Sequence, residues 1–61
     1  NNIVIQLNGK KRGVISCDIN VDENKIIDLI KSENQYTNYF KDKTIKKTIY
    51  VKNRLINLIL E

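Results

Sequence analysis

Sixty-one residues carry a formal net charge of +4, with 11 Lys and Arg against 7 Asp and Glu and a sequence pI near 9.4. A chain this short buries only about 60% of the surface it exposes when unfolded, which allows one thin-cored domain, and its 41% hydrophobic and 30% charged residues exclude ordinary disorder. With no histidine, one cysteine and no glycine-rich loop, it cannot build an internal disulfide, an ordinary zinc site, a phosphate loop or a histidine-based catalytic centre. The basic balance favours a polyanionic partner without choosing between nucleic acid and anionic lipid. No apolar run approaches the roughly 18 residues of a membrane span and no secretory pattern is present, so the expected setting is cytoplasmic and reducing. The absence of methionine, at position 1 included, suggests a processed product or, preferably, a piece excised from a longer protein.

In chain order, Asn2 to Leu7 places Ile3, Ile5 and Leu7 at period two among β-branched residues and predicts a strand. Asn8-Gly9 tolerates positive φ at both central positions of a type I′ turn and predicts a hairpin. The second strand is expected from Lys11 to Ile19, with Ile15, Cys17 and Ile19 on one face, Arg12, Ser16 and Asp18 on the other, and Gly13 marking a bulge or a close backbone approach. The period then becomes helical: Ile26, Ile27, Leu29 and Ile30 form a stripe capped by Asn20 or Asp22 and ending near Ser32. Between Glu33 and Phe40, Tyr36 stands at i+3 and i+4 from Tyr39 and Phe40, which predicts a short second helix or a helical turn, and the helical spacing favours packing the three aromatics in the core over leaving them exposed to stack RNA bases. Lys41-Asp42-Lys43 reads as a solvated loop. Thr44 to Val51 is a third strand with Ile45, Ile49 and Val51 on one face, Lys52-Asn53 a second tight turn, and Arg54 to Leu60 a fourth strand. The economical fold is α+β: a four-stranded sheet of two β-hairpins in the order ββααββ, with one helix and a short second helix on one face. Cys17 is expected as a small buried hydrophobe and Asn57 as a structural hydrogen-bonding residue on the open sheet face.

The run I-V-I-Q-L-N-G-K-K-R-G at positions 3 to 13 resembles the strand-turn-strand near the C-terminus of bacterial-type leucyl-tRNA synthetases, which runs V-Q-V-N-G-K-x-R-G. Likewise K-T-I-K-K-T-I-Y-V-K-N-R-L-I-N-L-I-L at positions 43 to 60 is similar to that family's final hairpin, K-T-I-R-K-V-I-Y-V-P-G-K-L-V-N-I-V-V. Asn38-Tyr39-Phe40 echoes a K-Y-L-like turn of the helical middle, so the resemblance covers essentially the whole chain. Two departures stand out. Lys52-Asn53 replaces the usual Pro-Gly of the last turn, and Lys11 occupies a place where the family often has an apolar residue.

The resemblance implies that residues 1-61 form a single C-terminal domain that contacts tRNA(Leu), at the elbow, and joins the remainder of the synthetase through a flexible linker. It implies a parent leucine-tRNA ligase of class I that uses ATP and Mg2+, with no catalytic, cofactor or metal residue in this domain and neither membrane nor DNA as partner. The tRNA-binding candidates are Lys10, Lys11, Arg12, Lys46, Lys52 and Arg54. Lysines there neutralise phosphates and the planar fork of Arg12 bridges a phosphate or stacks on a base. Against this stands the plainer reading that exposed hairpins are lysine-rich for solubility. Regular pleating sends Lys46 and Lys47 to opposite faces, leaving one of them as ordinary surface. Tyr50 is open enough either to stack a base or to pack half-exposed. The expected mechanism is a rim shared by both hairpin ends, binding weakly by itself and strengthened by tethering. The alternatives are a protein-interaction module with a helix-covered sheet and a free-standing RNA-binding domain.

Overall fold

Alternating apolar residues build the sheet, and a switch to helical spacing builds its cover. The computed structural model describes residues 1–61 as β1 (Asn2–Leu7), β2 (Lys10–Ser16), α1 (Glu23–Ser32), α2 (Asn34–Phe40), β3 (Ile45–Val51) and β4 (Leu55–Leu60). The expected α+β class and ββααββ order hold. The strands lie in the order β2-β1-β4-β3, so the first and last strands are the two central ones. They pair in parallel from Val4↔Leu55 to Leu7↔Leu58, while each hairpin is antiparallel. Both central strands are apolar along most of their length, as strands with neighbours on either side should be.

Ile3, Ile5, Leu7, Ile15, Ile56, Leu58 and Leu60 face the helices, where Ile26, Ile30 and Tyr36 close the core. Asp22 caps α1 by accepting from the Lys25 backbone N–H at 2.8 Å, and acidic Glu23 and basic Lys31 sit at the ends the helix dipole favours. One extended residue, Glu33, separates the two helices. It lets α2 turn back over β2, where the Tyr36 ring lies so close to Gly13 that any Cβ there would collide with its hydroxyl. Both readings of Gly13 are thus met, since the neighbouring residue is also bulged.

Three expectations change. The second strand stops at Ser16 and not at Ile19, because the Cys17 N–H bonds to the Asn1 carbonyl at 2.8 Å and β1 offers nothing further to pair with. Ile19 is therefore a turn residue, 73% exposed, and Cys17 is half-buried at the core's edge. On β3, Ile45 does not share a face with Ile49 and Val51. Opposite Leu60 and Ile59 stand Ile45 and Lys47, so the intervening Lys46 is a bulge that reverses the alternation. Thr48 and Tyr50 turn inward, Tyr50 donating its hydroxyl to the Val21 carbonyl at 2.6 Å, and Ile49 and Val51 go to the open face. Finally, the last turn is a three-residue loop, Lys52 to Arg54, with Asn53 at φ 66° and the Arg54 N–H bonded to the Val51 carbonyl at 3.0 Å. Asn8 and Gly9 both take positive φ, 54° and 81°, as the first turn requires.

Candidate nucleic-acid interface

Because β1 and β4 run parallel, the two hairpin turns lie at opposite ends of the sheet, about 20 Å apart for strands of six residues. The single rim expected from sequence therefore does not form. Lys10, Lys11 and Arg12 stand at one end, with the start of β3 and its Lys46. Lys52 and Arg54 stand at the other, where Asn53 exchanges hydrogen bonds of 2.8 and 2.9 Å with Asn20. Acidic Asp18 and Asp22 flank Asn20 in the chain, so that end carries both signs of charge.

The Asn8-Gly9 end is firmly built. Asn8 accepts from the Leu60 N–H at 2.7 Å through its side chain and donates its own N–H to the Leu58 carbonyl at 2.9 Å. The Gly9 N–H donates to Asn57 Oδ1 at 3.1 Å, which gives Asn57 the structural role expected of it. The turn is thus fastened to the central strand β4 and holds the following cations on a rigid base.

Between this turn and α2 lies a cleft of about 290 Å³. Leu7 and Leu60 line its base, Asn8, Lys10 and Arg12 one side, and Asn38, Tyr39 and Lys43 the other. Arg12 reaches it because it is the extra residue between the pairs Ile5↔Gly13 and Gln6↔Lys11. A bulge re-aims its side chain, and here the guanidinium lies over the Tyr39 ring, 5.1 Å from its centroid. Lys11, opposite Gln6, belongs to the open sheet face and is separated from Lys10 and Arg12. A second cleft, of about 440 Å³, shares Lys43 and adds Lys31 with Thr37, Phe40, Thr44 and Ile45. Lys43 therefore stands between two hollows with cations on both sides.

The chain has one ion pair, Lys46 with Glu61 at 3.7 Å, and both side chains are more than 60% exposed, so it contributes little to stability. Lys10, Arg12 and Lys43 have no carboxylate within that reach, leaving their charge available to an external anion.

Two features of this site were not expected. Tyr39, placed in the core by its spacing from Tyr36, is 37% exposed on the cleft wall. At i+3 it sits on the other side of the Tyr36 stripe from half-buried Phe40 at i+4, and its polar neighbours Thr37 and Asn38 were the available signal. Lys31 enters through tertiary folding alone, and Lys43, which the sequence groups with Lys46 and Lys47, is brought instead beside Lys10 and Arg12. Tyr36 and Phe40 do pack against or within the core, and Tyr50 is half-buried as one of its two readings had it.

No family model matches the chain. It is 45% identical over 60 residues, 98% of its length, to the leucine–tRNA ligase of Wigglesworthia glossinidia brevipalpis. It is 41% identical over 58 residues to that of Buchnera aphidicola subsp. Baizongia pistaciae. In both cases it spans about 7% of the relative's length. Among solved structures, 98% of the chain superposes with a TM-score of 0.84 and 31% identity on a segment, 8% of the whole, of the Agrobacterium radiobacter LeuRS, solved in a ternary complex with tRNA and LeuAMS.

Proposed function

The chain is homologous, over nearly its whole length, to a segment of leucine–tRNA ligases, and from that premise we propose that it is the C-terminal tRNA-contacting domain of such an enzyme. In this reading the parent enzyme ligates leucine to tRNA(Leu) in the cytoplasm, and ATP and Mg2+ are held by parts of it outside these residues. The domain itself is non-catalytic and is carried on a flexible linker. Its task is to meet the folded corner of the tRNA and add affinity to contacts made elsewhere. The observation that carries this is the match in both sequence and fold to a synthetase solved with tRNA bound.

The geometry supplies the means. Lys10, Arg12 and Lys43, all without carboxylate partners, surround one cleft at one end of the sheet. Backbone phosphates displaced onto those cations release counterions, which makes binding salt-dependent. Lys11 and Lys46 extend the contact at its margins. Lys52 and Arg54 lie at the far end, so they serve only a second, separate part of the RNA. A second reading rests on Val14, Ile49 and Val51, each 42–48% exposed on the uncovered face of the sheet, which a protein partner would use.

The test is a titration of tRNA(Leu) with the 61-residue chain across a range of salt. Log affinity should fall linearly with log salt, with a slope of about −2 to −3 for the phosphates held at Lys10, Arg12 and Lys43. The double variant Lys10→Glu/Lys43→Glu should flatten that slope, while Lys52→Glu/Arg54→Glu should leave most of the binding intact. Affinity that stays constant from low to high salt would remove the electrostatic mechanism. Binding to a protein partner that depends on Val14 and Ile49, with none to tRNA, would favour the second reading.

A further inference from the structure

The helices cover one face of the sheet, yet its central strands are apolar on both. In β4, five of the six residues from Leu55 to Leu60 are aliphatic, and only Ile56, Leu58 and Leu60 face the helices. A strand with one solvated face alternates apolar with polar residues, whereas a near-continuous apolar run marks a strand covered on both sides. The register shows where the surplus goes. Val14 pairs with Val4, Val4 with Leu55, and Leu55 with Val51, so one aliphatic row about 15 Å long crosses all four strands on the open face. Val14 and Val51 are exposed, Val4 and Leu55 are half-buried, and Ile49 and Ile59 continue the patch toward the Asn8-Gly9 end. None of the four strands contains an acidic residue. Lys47, opposite Ile59, and Lys11, at the margin near the first turn, therefore border the patch without an ion-pair partner.

Size and charge decide what fits there. Four strands of six or seven residues present about 400 Å² on one face, half of the roughly 800 Å² that each partner buries in a stable complex. A second copy would also set lysine against lysine, and a phosphate backbone gains nothing from a row of valines and leucine. A tethered surface needs less area, because the tether supplies a high effective concentration. The chain spans about 7% of its relatives' length, so most of such a polypeptide lies outside these residues. We propose that the open face docks on another part of the same synthetase polypeptide, a surface presenting an apolar ridge to the Val14-Val4-Leu55-Val51 row and carboxylates to Lys11 and Lys47. The inference rests on the reading of the chain as one segment of a longer ligase and goes beyond it, since the cleft between the first turn and α2 lies on the helix side. The sheet thus has two working faces, and RNA on one does not displace the enzyme body from the other.

The experiment uses the full-length enzyme. Carbodiimide should join the amine of Lys47 or Lys11 to an Asp or Glu outside these residues, and mass spectrometry should place that cross-link in one acidic, apolar region. A benzophenone side chain at position 49, Ile49→p-benzoylphenylalanine, should cross-link to the same region, and one at Asp28 on the outer side of α1 should not. Val14→Lys/Val51→Lys should lower both cross-links by about tenfold, while the affinity of the 61-residue chain for tRNA(Leu) stays unchanged. Cross-links that scatter, reach tRNA or a second copy, or match the yield from Asp28 overturn the docking. Charging of tRNA(Leu) by the unmodified enzyme tests the premise separately. An enzyme that charges tRNA(Leu) but whose open face cross-links nothing in its own polypeptide overturns the docking alone, and one that charges none overturns the reading beneath it.

Discussion

Gly13 lacks a side chain because Tyr36 occupies the space where one would stand. A Cβ at that position meets the buried Tyr36 hydroxyl, so Gly13→Ala should destabilise the fold by about 1–3 kcal/mol through overpacking, read as a lower denaturant midpoint. Combined with Tyr36→Phe the cost should be smaller than the sum of the two single changes, and simple additivity would show that the clash is not the cause. Here the sequence was informative: a glycine on the apolar side of a strand announced a close approach, though not what approached. Tyr39 was harder to place. Three aromatics within five residues suggest one buried stripe, yet α2 has seven residues and one buried aromatic; Tyr39 stands on the helix side away from that stripe, and the bulge that brings Arg12 over its ring is encoded by no local pattern.

At the scale of elements, α1 is the part most firmly specified by sequence, and its cap and buried face follow from Asp22 and the isoleucines. Ile26 and Ile30 are both fully buried against the sheet. Truncating such a residue costs about 2–5 kcal/mol, against a total that rarely exceeds about 3–5 kcal/mol for a domain this small. Ile30→Ala should therefore leave the chain largely unfolded at 25 °C, which circular dichroism would check; a folded variant with an unchanged midpoint would mean that the helix is dispensable. The edge strands were less legible. Period two holds only while pairing is regular, and bulges at Arg12 and Lys46 shift it by one residue each. That is why Ile49 and Val51 appear on the face opposite to the one their spacing from Ile45 implies. The same two irregularities carry a basic residue apiece, so the features that defeated the pattern also placed Arg12 in the cleft.

For the molecule as a whole, hairpins and helices could be read locally, but strand order could not. Nothing in either hairpin says that β1 and β4 should lie side by side, and that single pairing sends the two turns to opposite ends and divides the cations between them. It also governs how the structure is reached. The central pair joins residues 4–7 to residues 55–58, so the most buried contacts close the longest loop in the chain. A chain lacking Leu55 to Glu61 should keep some helix yet show no cooperative unfolding transition, and a sharp transition in that truncation would contradict the central role of β4. During synthesis the same order of events means that the nascent segment stays open until its final strand has left the ribosome. Collapse should then occur in one late step, with no stable half-built intermediate, a timing fixed by topology and not by any individual side chain.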